Sequence, residues 1–383
     1  MGLIKFCKQR SESSGDFFRY NRRENLMEER EEHLSFLEGL KKANTLHFQF
    51  QRSNVVSSRD RDELQIFPKE FQKYGDKWHI QGMDLGHVKH LSHSMLEEIT
   101  NNFSNDNFVR KTRHGRIFRG VMNQDLVTRD VVVRTWDFFF PIKREYVWHA
   151  QRFSDEIKLL TNPDVASHPS LVDLIGYCCH KKLAVVYDFK LKDTVKDIIC
   201  SDKISLKQRI QVAIGIAEVL EYLHAKQIAH GCIEAANISV DEKFKIKLFE
   251  YDAHLDLGSE NDAMEYKIAT KSHKYLSPEI IGVYVAYPWK KEYAFPADVH
   301  AYGVLLSELI TKKEFKESEY LECVKPADIE YPEDCSDVER CLLDVAKDCV
   351  QNDFTLRPKM SGVVALLKDT YRFTTRKRKI YHT

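Results

Sequence analysis

Two polar segments near the middle of the chain have the residue types for a reactive centre. His230-Gly231-Cys232-Ile233-Glu234-Ala235-Ala236-Asn237-Ile238 has the spacing of His-Arg-Asp-Leu-x-x-x-Asn-Ile, a loop that carries phosphoryl transfer. Thirteen residues after Asn237 stands Glu250-Tyr251-Asp252. An amide oxygen and a carboxylate oxygen so placed are the donors that hold magnesium on a phosphate. The step also needs a carboxylate to receive the proton of the attacking hydroxyl. Cys232 stands in its place, and a thiol with an ordinary pKa of about 8.5 is mostly neutral and a weak acceptor at pH 7. Glu234 puts negative charge where a transferring phosphate needs a cation, so Coulomb repulsion opposes the transfer. The outline of the chemistry is present, and its working groups are replaced.

Such segments need strands and helices to hold them. Val131-Val132-Val133 and Leu183-Ala184-Val185-Val186-Tyr187 are continuous apolar runs of the kind buried in a sheet. Beyond about Ile204 the apolar spacing turns helical: Ile210 to His224, His300 to Leu309 and Val338 to Val350. Strands first and helices after predict an α+β chain in two lobes. Asn25 to Ala43 reads as an amphipathic helix with Met27, Leu34 and Leu37 on one face, and His93 to Phe103 as a short helix. Asn44 to Lys89 shows no clear period.

The chain has 383 residues, enough for more than one core. Lys plus Arg and Asp plus Glu both number 58, so bulk charge gives no reason to expect nucleic-acid or membrane binding. Nine scattered cysteines without a C-x-x-C pair read as reduced and cytoplasmic, with neither a disulfide frame nor a zinc site. No run of about 18 apolar residues suggests a transmembrane segment. Cys7 beside Lys5, Lys8 and Arg10 is a candidate palmitoyl site, which would give marginal, reversible attachment at the plasma membrane. Phe6 stands where N-myristoylation of Gly2 favours Ser or Thr.

The order of motifs resembles the protein-kinase domain over about residues 95–373. It looks most like plant receptor-like cytoplasmic kinases, through Leu171-Val172-Asp173-Leu174-Ile175-Gly176-Tyr177-Cys178, Tyr222-Leu223-His224 and Asp298-Val299-His300-Ala301-Tyr302-Gly303-Val304-Leu305. The resemblance implies a small β-rich lobe and a helical lobe. It divides the chain into an extension at 1–94, the kinase-like domain at 95–373 and a basic tail at 374–383. In the G-x-G-x-x-G loop only Gly115 remains; Arg110 and Thr112 hold the first two positions, where side chains crowd a phosphate. Arg134 replaces the strand lysine, and Glu156 matches the helix glutamate that pairs with it. An Arg134–Glu156 pair is a better use of a planar fork than a clamp between phosphates. Glu250 replaces the magnesium aspartate with one extra methylene, and Asp252 replaces the hinge glycine. Gly231 replaces the arginine that in many kinases receives a phosphorylated activation loop. The vestigial nucleotide site is thus Gly115, Arg134, Glu156 and Asn237. Glu279 in Ser277-Pro278-Glu279, its family partner Arg357, and Asp298, which braces the catalytic loop, are retained as structural anchors.

The chain is further similar to the pseudokinases of plant receptor-like cytoplasmic kinase subfamily XII. That resemblance implies an inactive adaptor on the leucine-rich repeats of a coiled-coil NLR immune receptor. Such an adaptor senses a bacterial effector directly or captures an effector-modified cytoplasmic kinase. No cofactor is expected, although residual ATP or magnesium binding is compatible with Asn237 and Glu250. The candidate partner-binding residues are Met27, Leu34 and Leu37 in the extension, where packing on the chain's own first lobe is the competing reading. Lys267, Lys271 and Lys274 in the charged segment 250–279 are further candidates. The rival reading is an atypical, weakly active Ser/Thr kinase using Arg134, Glu250 and Asn237.

Overall fold

The computed structural model describes residues 85–112, 115–124, 127–137, 143–179, 182–231, 233–251, 273–285, 291–316 and 322–380. The first lobe is a sheet of β1 (Lys89–His90), β2 (Phe108–Lys111), β3 (Gly115–Gln124), β4 (Val127–Trp136), β5 (Leu174–Cys178) and β6 (Leu183–Tyr187). Its strand order is β1-β5-β6-β4-β3-β2, antiparallel throughout except for β1 along β5. Side chains alternate across a strand, and the valine run shows what that does here. Val131 and Val133 face Leu96 and Ile99 of α1 (His93–Ile99), while Val132 joins the core with Phe153 and Ile157 of α2 (Lys143–Thr161). A strand covered on both faces reads as an unbroken apolar run.

The folded unit begins earlier than the expected boundary at residue 95. Lys89 pairs with Gly176 and His90 with Tyr177, and Leu91 is buried behind them. Gly176 makes room for this, since a Cβ there would stand 2.6 Å from Leu91 Cδ1. Ser92 then caps α1 by accepting from Met95 N–H at 3.2 Å. The helix expected at 25–43, with Met27, Leu34 and Leu37, lies outside the described residues.

The short helix α3 (Pro163–Ala166) follows α2 before the chain enters β5, and the second lobe carries a small sheet, β7 (Asp193–Thr194), β8 (Ile238–Val240) and β9 (Ile246–Leu248), and the helices α4 (Val195–Ile199), α5 (Leu206–Ala225), α6 (Pro278–Val285), α7 (Ala294–Thr311), α8 (Asp337–Cys349) and α9 (Met360–Ile380). Capping boxes start α5 at Ser205 with Gln208 and α8 at Ser336 with Glu339. Helix α7 is buried almost along its whole length and is the axis of the lobe. It approaches α8 so closely that a Cβ on Gly303 would lie 2.5 Å from Cys349 Cβ. The basic run expected as a tail from 374 continues a helix: α9 runs through Arg376-Lys377-Arg378-Lys379 to Ile380. Lysine and arginine are good helix formers and extend the helix they follow.

Candidate functional site

The expected nucleotide loop is the β2–β3 hairpin. Thr112 N–H donates to Gly115 O at 2.8 Å, and Gly115 N–H donates to Thr112 Oγ1 at 3.0 Å. Gly115 is required by its neighbours, because a Cβ there would be 1.7 Å from Thr135 O on β4. The surviving glycine therefore serves strand pairing.

Arg110, on β2, reaches out of the first lobe into the second. Its Nη2 donates to Glu250 Oε2 at 2.6 Å and also to Asn237 Oδ1. The Arg110 side chain is 22% exposed and that of Glu250 only 3%. Asn237 is held just before β8 by donating its N–H to Glu234 O at 3.0 Å, and its own carbonyl accepts from Phe249 N–H at 3.1 Å. Glu250 follows β9 with φ +64°, a left-handed conformation that costs a non-glycine residue roughly 1–2 kcal/mol. Burial alone would raise its carboxyl. The guanidiniums of Arg110 and Arg134, with hydrogen bonds from Arg110 and the Thr112 hydroxyl, outweigh that and hold it below the ordinary carboxylate value.

Arg134 extends this network inward. It donates to Glu156 Oε2 and, at 3.2 Å, to Tyr251 O; its Nη2 is 3.9 Å from Glu250 Oε1. The guanidinium lies 4.4 Å from the Trp136 ring centroid. Tyr187 donates its hydroxyl to Glu156 Oε1. Glu156 is pushed up to about 7 by burial, which exceeds the opposing pull of Arg134 and the Tyr187 hydrogen bond.

The catalytic-loop segment hangs from α7. Asp298 Oδ2 accepts from His230 N–H at 2.7 Å and lies 3.0 Å from His224 Nε2, while Oδ1 accepts from Gly231 N–H at 2.9 Å. Gly231 has φ +75°, so the loop turns through a left-handed conformation that glycine permits where the motif has arginine. The buried His230 ring sits 4.8 Å from Tyr251. Glu234 is half-buried at the start of the short 3-10 turn Ala235–Asn237. Cys232 and Asp252 lie outside the described residues.

The sequence of this segment and the two-lobed fold meet in one comparison. A sequence model described as protein tyrosine and serine/threonine kinase matches residues 104–367. The chain belongs to the protein kinase family. Among similar kinases, a leucine-rich repeat receptor-like protein kinase of Arabidopsis thaliana is 24% identical over 230 residues, which cover 58% of this chain and 24% of the relative. The receptor protein kinase WSS1 of Oryza sativa subsp. japonica is 27% identical over 258 residues, 64% of this chain and 26% of its own length. PBL28 of Arabidopsis thaliana, named as a serine/threonine-protein kinase, is 27% identical over 225 residues, 56% of each chain. The chain thus spans between about a quarter and a little over half of these kinases.

In a kinase, Asn237 and the residue at 250 hold magnesium on the nucleotide phosphates. Here both oxygens are taken by the guanidinium of Arg110, so a magnesium–nucleotide complex does not fit this arrangement. Among the described residues no group of three or more His, Cys, Asp or Glu could hold a metal, and no helix is long and apolar enough to cross a membrane. The back of the cleft is aromatic: Phe189, just after β6, packs 5.5 Å from Phe249, with Arg110 Cζ 6.0 Å from the Phe249 ring.

The anchors of the second lobe are in place. Arg357 donates to both oxygens of Glu279, at 2.6 and 2.8 Å, and to Pro296 O at 2.8 Å. One expectation is corrected. Lys274 is not on an exposed docking strip; it is buried, with its ammonium 2.7 Å from Glu308 Oε1 on α7, and Tyr275 donates to Glu308 Oε2 at 2.7 Å. A lone ammonium is too costly to bury, so it is found where a carboxylate meets it. Lys267 and Lys271 lie outside the described residues. Arg110 is the functional residue that the loop alignment undervalues. It marks a missing glycine there, and the signal that was available is an arginine in a chain whose metal position keeps a carboxylate.

Proposed function

We propose that this chain is a catalytically inactive pseudokinase that acts as an adaptor in plant innate immunity. In this reading it sits on the leucine-rich repeats of a coiled-coil NLR receptor. It senses pathogen effectors directly or through an effector-modified cytoplasmic kinase. The observation that carries the inactive part is Arg110 bonded to both Asn237 and Glu250. A fixed cation on the two metal-binding oxygens competes with magnesium at every moment. Arg134, locked on Glu156 and Tyr251, adds a second cation that is not free to follow a phosphate. The adaptor part rests on the motif resemblance to subfamily XII pseudokinases; the plant receptor-like and receptor kinases among the relatives support the wider kinase family to which that resemblance belongs.

The rival is a weakly active Ser/Thr kinase, favoured by the buried, ionised Glu250 and the kept Arg134–Glu156 pair. Two measurements separate the readings. The full chain is incubated with magnesium and ATP beside Glu250→Ala; turnover that disappears in the variant would establish the kinase. Tagged chain is purified from leaf tissue with its partners identified by mass spectrometry. Recovery of a coiled-coil NLR supports the adaptor, and its absence, where a known subfamily XII pseudokinase retrieves one, removes it.

A further inference from the structure

The misfit between this cleft and a magnesium–nucleotide complex has a consequence for how the lobes are held. In an active kinase the ligand bridges a glycine-rich loop above and metal-binding residues below. Here Arg110, with the Thr112 hydroxyl beside it, makes that bridge. Arg110 belongs to β2 of the six-stranded sheet, and its two acceptors belong to the second lobe, Asn237 just before β8 and Glu250 just after β9. We propose that Arg110 is a tethered cation that draws the two lobes together, so that the closed cleft is the chain's resting state with nothing bound. This inference rests on the reading that the cleft takes no magnesium–nucleotide, and on no particular receptor.

Three features favour a latch over a passing surface contact. The acceptor is buried: Glu250 is 3% exposed, with Arg110 Nη2 2.6 Å from its Oε2 and Arg134 Nη2 3.9 Å from its Oε1. A buried carboxylate deprived of its partner is strongly unfavourable, so opening the lobes carries a penalty that an exposed pair would not impose. The acceptor is also over-determined. The Thr112 hydroxyl, at the end of the same strand, bonds to Glu250, and Arg134 of β4 stands 3.9 Å away on its other side. Finally, the guanidinium spans two separate segments of the second lobe, which a lysine's single ammonium does less well. The titratable and charged groups facing Glu250 are thus Arg110, Arg134, Glu156 and the buried imidazole of His230. A latch of this kind gives an adaptor a fixed shape without a nucleotide supply.

Hydrogen exchange of the full-length chain tests it. In the unmodified protein the amides of 108–112 and 249–251 exchange slowly, and 10-millimolar-scale magnesium with ATP leaves them as they are. In Arg110→Met, which keeps the apolar stem and removes the charge, those amides exchange at least about tenfold faster, while α5 and α7 keep their protection. Equal exchange in the two proteins overturns the latch. Added protection of the unmodified cleft by magnesium–ATP overturns the reading of the cleft instead, whatever the variant does. If Arg110→Met fails to fold, Glu250→Gln removes the acceptor's charge at nearly constant shape, and unchanged exchange there overturns the latch equally.

Discussion

Arg357 grips Glu279 with two parallel hydrogen bonds, at 2.6 and 2.8 Å, although 78 residues separate them. The fork ties α6, at the end of the charged segment, to the turn before α9, and a third bond to Pro296 O reaches α7. The side chains are 1% and 6% exposed, so neither charge has water to fall back on. Removing one partner leaves the other buried and uncompensated. Arg357→Ala is expected to lower stability by about 3–5 kcal/mol. Arg357→Lys is expected to lose most of that too, because an ammonium cannot reproduce the fork. Chemical-denaturation midpoints of the three proteins check this; a lysine variant as stable as the parent would contradict it.

Asp298 organises the catalytic-loop segment through two backbone donors, His230 N–H at 2.7 Å and Gly231 N–H at 2.9 Å. Asp298→Ala orphans both and the His224 ring. His230 N–H is buried, and a buried donor left unpaired costs about 1–3 kcal/mol, whereas the amide of exposed Gly231 can turn to water. The loss should be local, with exchange rising at 230–231 well before α5 opens. A uniform loss across the second lobe would show that Asp298 acts on the whole lobe and not on the loop.

Glu156 should leave a signature in the pH dependence of stability. Its folded pKa, about 7, lies above the ordinary value of 4.5 because of burial, with Arg134, Tyr187 and Glu250 facing it. The folded chain therefore holds a proton that the unfolded chain releases. The contribution is whole below about pH 4.5 and is lost as pH rises through 7. Glu156→Gln removes it, so the variant should gain on the parent by up to about 3 kcal/mol between pH 5 and 8. The buried imidazoles of His149 and His300, both pushed down to about 3, and His230, at about 4, act in the opposite sense on both proteins alike. They stabilise fully above pH 6.5 and lose that as pH falls. Melting temperatures of the pair across this range decide it, and a pH-independent difference would refute the assignment.

What was legible in the sequence follows chain order and residue type. The Arg134–Glu156 and Arg357–Glu279 pairs can be expected because each residue sits in its own recognisable motif. The buried valine strand and the helices of the second lobe announce themselves by period. Arg110 is different. Its acceptors stand 127 and 140 residues away, and only the closure of one lobe on the other brings a β2 side chain to them. Lys274 misleads for the same reason. Its neighbours in sequence are charged, but the residue that decides its place is Glu308, 34 positions on and inside α7. β1 is two residues long and has no period of its own, so its place beside β5 is fixed by pairing alone.

The buried Lys274 yields a prediction that separates docking from folding. Its ammonium meets Glu308 at 2.7 Å and Glu314 at 3.4 Å, and Phe315 N–H donates to Glu308 Oε1 at 2.8 Å. Burial raises the Glu308 carboxyl, and Lys274 is the main group that draws it back. Lys274→Met keeps the length and removes the charge, leaving Glu308 with the Tyr275 hydroxyl and one amide. The variant should be destabilised by a few kcal/mol, in the range for a broken buried pair. The combined Lys274→Met, Glu308→Gln protein should recover part of that, since replacing both charges removes the orphaned one. If Lys274 were instead a docking residue, Lys274→Met would keep its melting temperature and lose only its partner in a pull-down. Measuring the melting temperature and the pull-down on the same preparations distinguishes the two.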